Sequence, residues 1–275
     1  MKLDLLARDG AVEVLRQLCT GEARFKELNR LVPNIRTLSR RLKELQKEEL
    51  IQRAGIHYRI TERGFGAALK IAELERETDR GGVHPDPEEI AKVRCGWLRI
   101  SLERLTELFL GEFDETLVSL ILYGSAVKAS FHPGRSDIDL LYVVEDGAGD
   151  PWPREGKVFR GFQSTWEYKA CDQYFKTRGF HGYPEVTAIS LERNHAKRFQ
   201  PIYLDMLSHR AVLYDKDGFF QDLMEKLEKE LKTIGTIRIE HPDGTYGWLL
   251  KPDITPGELI EINLGWADGH QQGEG

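Results

Sequence analysis

Four residues in one stretch of the chain have the types and spacing of a phosphate-binding site. Gly124 and Ser125 follow the apolar run 117–123, and Asp137 and Asp139 stand at the start of a second apolar run. Carboxylates at positions i and i+2 of a strand point to the same face and repel each other unless a cation offsets their charge. Mg²⁺ prefers such oxygen ligands. The Gly-Ser turn would offer backbone N–H groups and a hydroxyl to phosphate oxygens.

Two strands and a connecting segment must position these four residues. Each of the runs 117–123 and 138–144 is seven residues long and rich in leucine and β-branched residues, which predicts buried strands. A Gly-Ser turn, a short helix and a Pro-Gly turn at residues 133–134 are predicted to connect them. From the residues alone, the alternative is an ordinary surface turn followed by an Asp-rich strand.

The segment Leu117–Val144 resembles the signature of the nucleotidyltransferase superfamily that includes DNA polymerase β-like enzymes, and in particular its minimal nucleotidyltransferases. The shared features are an apolar strand, Gly-Ser, eleven intervening residues, and Asp-x-Asp in a second apolar strand. The resemblance implies a mixed β-sheet with flanking helices and Mg²⁺ as cofactor. It also implies transfer of a nucleoside monophosphate from a nucleoside triphosphate, ATP before the others, to a hydroxyl acceptor.

Residues near the motif acquire roles through this resemblance. Lys128 and Arg135 lie between the Gly-Ser and Asp-x-Asp pairs, where basic residues of the family steady the triphosphate and the leaving pyrophosphate. Ser136 corresponds to a position that orients the first aspartate, and His132 is a weaker candidate for binding phosphate. Each basic side chain equally fits a solvent-facing loop.

A third carboxylate usually lies on a third strand of the family's sheet. Residues 184–190 are predicted to form this strand, and Glu185 is the best candidate, with Glu192 in reserve. The family more often carries Asp inside the apolar run, and this departure bears directly on activity. In an active enzyme, Asp137 and Asp139 would hold Mg²⁺, and the third carboxylate would help to deprotonate the acceptor hydroxyl. The acceptor could be a protein side chain, an RNA end or a small alcohol.

The first eighty residues differ from the rest in charge. They carry 17 lysine and arginine residues against 13 aspartate and glutamate residues, whereas the remainder carries 22 against 32. A basic head on an acidic body indicates a polyanionic partner. Apolar spacing predicts a first helix that stops near Gly21, helices over 24–31 and 35–49, a hairpin over 50–60, and a helix over 62–77 capped by Thr61.

Three helices followed by a two-stranded wing resemble the winged helix-turn-helix of prokaryotic transcriptional regulators. The resemblance covers residues 5–78 and implies that the basic helix 35–49 enters a DNA major groove while the wing touches the DNA backbone. The predicted DNA-binding residues are Arg36, Arg40, Arg41, Lys43, Arg53, His57 and Arg59. A protein–protein module is the alternative, because winged helices also serve that role.

Turn signals divide the chain into two domains. The turn-rich segment 81–87 predicts a linker between a DNA-binding domain, residues 1–80, and a nucleotidyltransferase-like domain, residues 88–266. The fold class expected is therefore α+β, with a winged helix-turn-helix followed by a mixed sheet. A helix over 88–113 is predicted to be long enough to pair in a homodimer, and residues 267–275 are predicted to form a mobile tail.

The composition is 40% hydrophobic and 31% charged, which is typical of a soluble globular protein. Because no signal peptide and no bilayer-length apolar run are visible, we expect a cytoplasmic protein without a membrane partner. Cys19, Cys95 and Cys171 have no metal-binding spacing and are expected to be reduced thiols.

Three functions are consistent with these patterns. The first is a Mg²⁺-dependent nucleotidyltransferase with a DNA-binding regulatory head. The second is a transcriptional regulator whose nucleotidyltransferase-like domain only binds or senses a nucleotide. The third is an antitoxin-like protein that modifies or masks a partner protein. Glu185 is the residue that separates the first two, because an enzyme needs the third carboxylate and a sensor does not.

Overall fold

The computed structural model describes residues 3–78, 85–241, 246–255 and 257–265. The elements of the first range are α1 (Leu3–Leu6), α2 (Ala11–Cys19), β1 (Ala23–Arg24), α3 (Phe25–Leu31), α4 (Ile35–Lys47), β2 (Ile51–Ala54), β3 (His57–Ile60) and α5 (Glu62–Thr78). The strands form an antiparallel sheet in the order β1-β3-β2. The predicted helices and wing are confirmed, and the third predicted helix, α4, ends two residues earlier than expected.

Local sequence explains the bounds of α4 and α5. The Asn34 side chain caps α4 by accepting a hydrogen bond from a backbone N–H of the first turn at 3.0 Å. Leu38, Leu42 and Leu45 recur at helical spacing and are all buried. The Thr61 hydroxyl oxygen caps α5 in the same way, as predicted. α4 is therefore held by one apolar stripe, and its other face is left for polar residues.

The remaining ranges form a mixed sheet with helices on both faces. Their elements are α6 (Pro87–Ile90), α7 (Gly96–Phe113), β4 (Leu117–Tyr123), β5 (Ile138–Val144), α8 (Trp152–Ser164), α9 (Trp166–Lys176), β6 (Val186–Glu192), α10 (Arg193–Ala196), α11 (Ile202–Met206), β7 (Arg210–Asp215), α12 (Phe219–Thr233), β8 (Ile237–Glu240) and β9 (Tyr246–Leu249). The main sheet has the order β6-β5-β4-β7. β5 and β6 are parallel, the other neighbours are antiparallel, and β8 and β9 form a separate antiparallel pair.

Both faces of the central strands are buried, which is why these strands are continuous apolar runs. Leu120 and Tyr142 pack into the core that α7, α8 and α9 cover. Ile121 and Val143 belong to a second core, on the opposite face, that α11 and α12 cover. Successive side chains of a strand point to opposite faces, so Asp139 shares the α12 face with Val143.

The predicted continuous helix over 88–113 is wrong. The chain leaves helical geometry after α6, and Cys95 caps α7 in an extended conformation. The break lets Val93, in the connecting segment, reach the core, where it is fully buried. Ile100 and its two following residues in α7 are also buried, although consecutive helical residues point about 100° apart. α7 is therefore a core helix, and the predicted homodimer stays a prediction.

The winged unit, residues 3–78, and the sheet domain share one apolar core. The Phe65 ring of α5 packs edge-on against Trp97 of α7 and Tyr174 of α9, with ring centroids 5.9 and 5.6 Å apart. The Trp166 indole N–H donates a hydrogen bond to the Arg16 carbonyl oxygen at 3.0 Å. At the edge of this interface, Arg76 of α5 forms ion pairs with three glutamates, which are Glu103 and Glu107 of α7 and Glu167 of α9.

The predicted domain boundaries remain predictions. Residues 81–84 of the predicted linker and the whole predicted tail, residues 267–275, lie outside the described residues. Pro87, placed in the linker by the sequence pattern, is the first residue of α6. Within the described ranges, no helix has both the length and the apolar character needed to cross a membrane.

Candidate functional site

The Gly-Ser turn and the Asp-x-Asp pair meet where β4 ends and β5 begins. Tyr123, the last residue of β4, lies opposite Asp139. Gly124 follows in a left-handed conformation, at φ 75°, and begins a single 3₁₀ turn, Gly124–Val127, in place of the predicted short helix. A Cβ atom added to Gly124 would lie 2.6 Å from Asp139 Oδ2. Both the backbone conformation and this close approach therefore require glycine.

The two aspartates have different surroundings. Asp139 is half-buried, and its Oδ1 accepts a hydrogen bond from the Thr187 hydroxyl at 3.0 Å. Asp137 directly precedes β5 and is exposed, and its carbonyl oxygen lies 3.4 Å from the Ser125 hydroxyl. Because residues two apart on a strand face the same side, both carboxylates border the surface beside the Gly-Ser turn.

The neighbouring strand β6 brings Glu185 and Thr187 beside the two aspartates. The Ile138 N–H donates to the Glu185 carbonyl oxygen at 2.8 Å, and Thr187 pairs with Asp139 in the parallel register. Glu185 is consequently next to Asp137 along the same edge. A third strand lies beside the first pair as predicted, but it spans 186–192 rather than 184–190, so Glu185 directly precedes it. The residue paired with Asp139 is a threonine and not a carboxylate.

This donor set fits a magnesium ion that arrives with phosphate better than one held by protein ligands alone. Among the described residues, no three or more His, Cys, Asp or Glu side chains come together in a way that could hold a metal ion. The exposed Glu185 therefore does not complete the predicted three-carboxylate set. Asp137 and Asp139 supply two carboxylates, and Mg²⁺ is commonly bound by one or two carboxylates together with substrate phosphates.

The polar residues of the loop between β4 and β5 have different partners. The Ser136 hydroxyl oxygen accepts a hydrogen bond from the His132 backbone N–H at 3.0 Å, so Ser136 secures the loop, whereas the resemblance assigned it to orienting Asp137. The His132 ring packs edge-on against Phe180, with centroids 5.2 Å apart. Arg135 is exposed. Of the predicted phosphate-binding residues in this loop, His132 and Arg135 are exposed, and Lys128 and Ser136 are half-buried.

Residues from the C-terminal part of the chain complete this surface, and no sequence pattern indicated them. The Lys128 ammonium lies 5.8 Å from the centroid of the Tyr246 ring, and the Tyr246 hydroxyl donates to Asp205 Oδ1 at 2.8 Å. Burial raises the pKa of Tyr123 to about 12, and the nearby carboxylates of Asp139 and Asp205 contribute to this rise. Side-chain contacts thus join Lys128, Tyr246 and Asp205, which lie far apart in the sequence.

The predicted DNA-binding residues of α4 divide into exposed and buried members. Arg36, Arg40 and Lys43 are exposed, as predicted. The prediction for Arg41 is wrong, because this side chain is only 4% exposed. Its Nε donates to the Asp9 carbonyl oxygen at 2.9 Å, and its guanidinium forms an ion pair with Glu44. Arg41 thus holds α4 to the start of the domain and is not available to DNA.

The wing places its three predicted residues near the surface. Arg53 is exposed, and its Nε donates to the Gly55 carbonyl oxygen at 3.0 Å. Arg59 is exposed and forms an ion pair with Glu22 at 2.6 Å. His57 is half-buried and accepts a hydrogen bond from the side chain of Arg24. Arg53 is therefore the wing cation that is best placed for a phosphate contact.

These features define a winged helix-turn-helix protein that carries an additional mixed-sheet domain. Residues 8–77 match the family model of the HxlR-like helix-turn-helix. Over 83 residues the chain is 31% identical to the uncharacterized HTH-type transcriptional regulator YvaP of Bacillus subtilis (strain 168). The matched region is 27% of this chain and 77% of that protein. Through its winged unit, the chain belongs to the HxlR-like helix-turn-helix family. No solved structure matches it.

The family match supports DNA binding through the winged unit and confirms the resemblance predicted for residues 5–78. It ends at residue 77, so it does not extend to the Gly-Ser and Asp-x-Asp motifs. The nucleotidyltransferase resemblance of residues 117–144 therefore stays a prediction. The mixed sheet with helices on both faces agrees with the predicted fold class without identifying that superfamily.

A matched pair of glycine substitutions tests the contact between the turn and the carboxylate. Gly124→Ala and Gly147→Ala both place a side chain at positive φ, 75° and 73°, but only the first faces a carboxylate, because an added Cβ at Gly147 meets nothing within 4 Å. We expect each change to lower the free energy of unfolding by about 1–2 kcal/mol. Only Gly124→Ala should weaken binding of Mg²⁺-ATP, measured by calorimetry, by about tenfold or more. Equal binding by both variants would contradict a site at this turn.

Neighbouring arginines of α4 should behave differently. Arg41→Ala leaves the Asp9 carbonyl and Glu44 without their partner, so we expect the free energy of unfolding in urea to fall by about 1–3 kcal/mol. Arg40→Ala removes an exposed side chain and should change it by less than about 0.5 kcal/mol. Arg40→Ala should instead weaken DNA binding and reduce the slope of log affinity against log salt by about 1. A stable Arg41→Ala variant would show that this guanidinium is not structural.

Proposed function

We propose that the protein is a DNA-binding transcriptional regulator whose sheet domain senses a nucleotide. One observation carries this proposal: an HxlR-like helix-turn-helix shares a continuous apolar core with a sheet that presents the Gly-Ser turn against Asp139. The relative YvaP is itself named a transcriptional regulator, which supports the regulatory half. The close approach of Gly124 to the Asp139 carboxylate supports the part of the proposal that concerns nucleotide binding.

DNA binding would use the exposed basic face of α4. In a winged helix-turn-helix this helix lies in the major groove, while the wing contacts the phosphate backbone. Arg36, Arg40 and Lys43 would release counterions from DNA, which makes affinity depend steeply on salt. Arg53 would add a backbone contact from the wing. Arg41 contributes indirectly, because it fixes the position of α4.

Nucleotide binding would use both sides of the turn. The backbone N–H groups and hydroxyl of Gly124 and Ser125 would donate hydrogen bonds to phosphate oxygens. Asp137 and Asp139 would hold a Mg²⁺ ion carried by the nucleotide, which would supply the positive charge that the phosphates and carboxylates share. The Thr187 hydroxyl fixes the orientation of the Asp139 carboxylate.

The packing between the two units supports a coupling of the two binding events. Tyr183 lies just before β6, and its backbone N–H donates a hydrogen bond to Asp172 Oδ1 of α9 at 2.9 Å. The Tyr183 hydroxyl lies 2.9 Å from the Ser101 hydroxyl of α7. α9 in turn contacts the winged unit through Trp166 and Tyr174. A ligand that moves β6 would therefore move helices that hold the winged unit, and DNA affinity would change with nucleotide.

An asparagine substitution tests the sensor. Asp139→Asn keeps the size of the side chain and a hydrogen-bond acceptor for Thr187 but removes the charge. We expect Mg²⁺-ATP affinity to fall at least about tenfold, because the carboxylate no longer offsets the ion. In the native protein, affinity for the duplex upstream of its own gene, measured by gel shift at fixed salt, should change when Mg²⁺-ATP is added, and in the variant it should not.

Asp222→Asn serves as the matched control for this substitution, because Asp222 is exposed on α12 at a distance from the turn. This variant should bind Mg²⁺-ATP and DNA like the native protein. If the native protein binds the duplex with the same affinity with and without each Mg²⁺-nucleotide, the sensor proposal is wrong.

A second candidate function is nucleotidyl transfer, and the position of Glu185 beside Asp137 is the observation that favours it. In this reaction the carboxylates would position the triphosphate, and Glu185 would accept the proton of an acceptor hydroxyl. The acceptor hydroxyl would belong to a protein, an RNA end or a small alcohol. A protein acceptor would make the chain an antitoxin-like modifier.

Labelled nucleotides separate transfer from sensing. Each of the four nucleoside triphosphates, labelled at the α-phosphate, would be incubated with Mg²⁺, cell extract and either native protein or the Asp137→Ala/Asp139→Ala variant. We expect a sensor to bind label without transferring it. Covalent label that appears only with the native protein would identify an enzyme, and loss of one aspartate should then slow transfer by about 100-fold or more. Glu185→Gln would test the third carboxylate.

A further inference from the structure

Strand β6 forms one edge of the main sheet, and this edge is less protected than the opposite one. At the β7 edge, the Val212 backbone N–H donates a hydrogen bond to Glu89 Oε2 of α6 at 2.7 Å. β6 is seven residues long, and no described strand or bridge pairs with its outer side. Soluble proteins usually protect such an edge with lysine, proline, a bulge or a covering segment. β6 contains neither lysine nor proline, and its one charged residue, Glu192, is at its end.

The parallel register fixes which backbone groups of β6 point outwards. The Ile138 N–H donates to the Glu185 carbonyl oxygen, and Thr187 pairs with Asp139. In a parallel pair, alternate residues of a strand direct both their N–H and their C=O to the neighbouring strand. The groups of Thr187 and Ile189 are therefore used by β5, whereas those of Ala188 and its alternate neighbours, Val186 and Ser190, point to the open side. Backbone groups of this kind are satisfied by water or by another strand.

An exposed apolar side chain stands at the middle of this edge. Ile189 is 42% exposed. It follows Thr187 on the face that carries Asp139, and Leu191, the next residue of the same row, is buried in the core that α11 and α12 cover. Ile189 thus extends this apolar layer to the open side of the sheet, where a second strand would cover it.

The sequence of β6 is complementary to itself in the antiparallel direction. A two-fold axis at Ile189 places Ala188 opposite Ser190 of a second copy, and both residues direct their backbone groups outwards. Ile189 then lies opposite Ile189 of the second copy as a non-hydrogen-bonded pair, in which side chains are close. These small and apolar side chains leave no charge at the centre of the interface.

The same register brings opposite charges together at both ends. Glu185, which is exposed and directly precedes β6, lies opposite Arg193 of the second copy, which directly follows β6. Arg193 forms an ion pair with Glu145 of its own chain, and a guanidinium has further N–H donors for a second carboxylate. Because the parallel arrangement would instead place Glu185 beside Glu185, the charges favour antiparallel pairing of two identical strands.

We propose that the protein forms a two-fold dimer in which β6 pairs in antiparallel fashion with β6 of a second copy and joins the two main sheets into one. This surface lies outside residues 8–77, which match the helix-turn-helix family, and outside the predicted pairing helix over 88–113. The dimer does not depend on nucleotide binding. It brings Arg193 of the second copy to Glu185, which is next to Asp137, so each candidate site receives a cation from the other copy.

Sedimentation velocity of the full chain over a range of concentrations tests this inference. A single strand pair is a small interface, so the native protein should pass from monomer to dimer as its concentration rises. Ile189→Lys should raise the dissociation constant at least about tenfold, because two lysines would face each other across the axis. Ile239→Lys is the matched control, since Ile239 is 44% exposed on β8, and this variant should dimerise like the native protein.

A cysteine substitution tests the register itself. Cα atoms of a non-hydrogen-bonded pair are about 4.5 Å apart, within the span of a disulfide. Ile189→Cys should therefore form a disulfide-linked dimer on mild oxidation, seen on a non-reducing gel, whereas Ile239→Cys should not. Cys19, Cys95 and Cys171 are present in both variants, so the comparison accounts for them. A native protein that stays monomeric at every concentration, equal dimerisation of native and Ile189→Lys protein, or equal cross-linking of the two cysteine variants would each overturn the inference.

Discussion

The antiparallel register of β4 and β5 is the constraint on which the rest of the structure depends. Tyr123 lies opposite Asp139, and helices cover both faces of the two strands. A slip of one residue would turn Asp139 towards the apolar layer under α7 and turn Leu140 away from it. Because an unpaired carboxylate is costly to bury, apolar packing alone fixes the Gly-Ser turn against this carboxylate. The chemistry of the site is thereby a consequence of core packing far from it.

Aromatic packing makes the winged unit part of the same body. Phe65 of α5 packs against Trp97 and Tyr174, which also contact each other, and the buried rings of this interface belong to the core that also contains Tyr142 of the sheet. A winged helix on a flexible tether could search DNA independently of its partner domain. Here the orientation of α4 relative to the sheet is set by side-chain packing, and a change in one unit has a physical route to the other.

The sequence predicted the elements that local patterns determine. β4 and β5 have the predicted bounds, because doubly covered strands are uninterrupted apolar runs. Arg41 was assigned to solvent by its charge, although it follows Leu38 by three residues and so lies on the inner side of α4. Its partner, the Asp9 carbonyl, is 32 residues away in sequence, and no local pattern reveals such a contact. The approach of Tyr246 to Lys128 was unpredictable for the same reason.

The residue paired with Asp139 on β6 bears on the choice between the two proposed functions, nucleotide sensing and nucleotidyl transfer. Thr187 donates a hydrogen bond to this carboxylate and orients it without adding negative charge. A carboxylate at the same position would raise the negative charge and could complete a site for a second ion. Glu185 lies two residues before Thr187 in the sequence and is exposed. Two carboxylates with a hydroxyl match the donors of a Mg²⁺ ion that is bound together with phosphates, which supports the proposed nucleotide-responsive regulator over the proposed transferase.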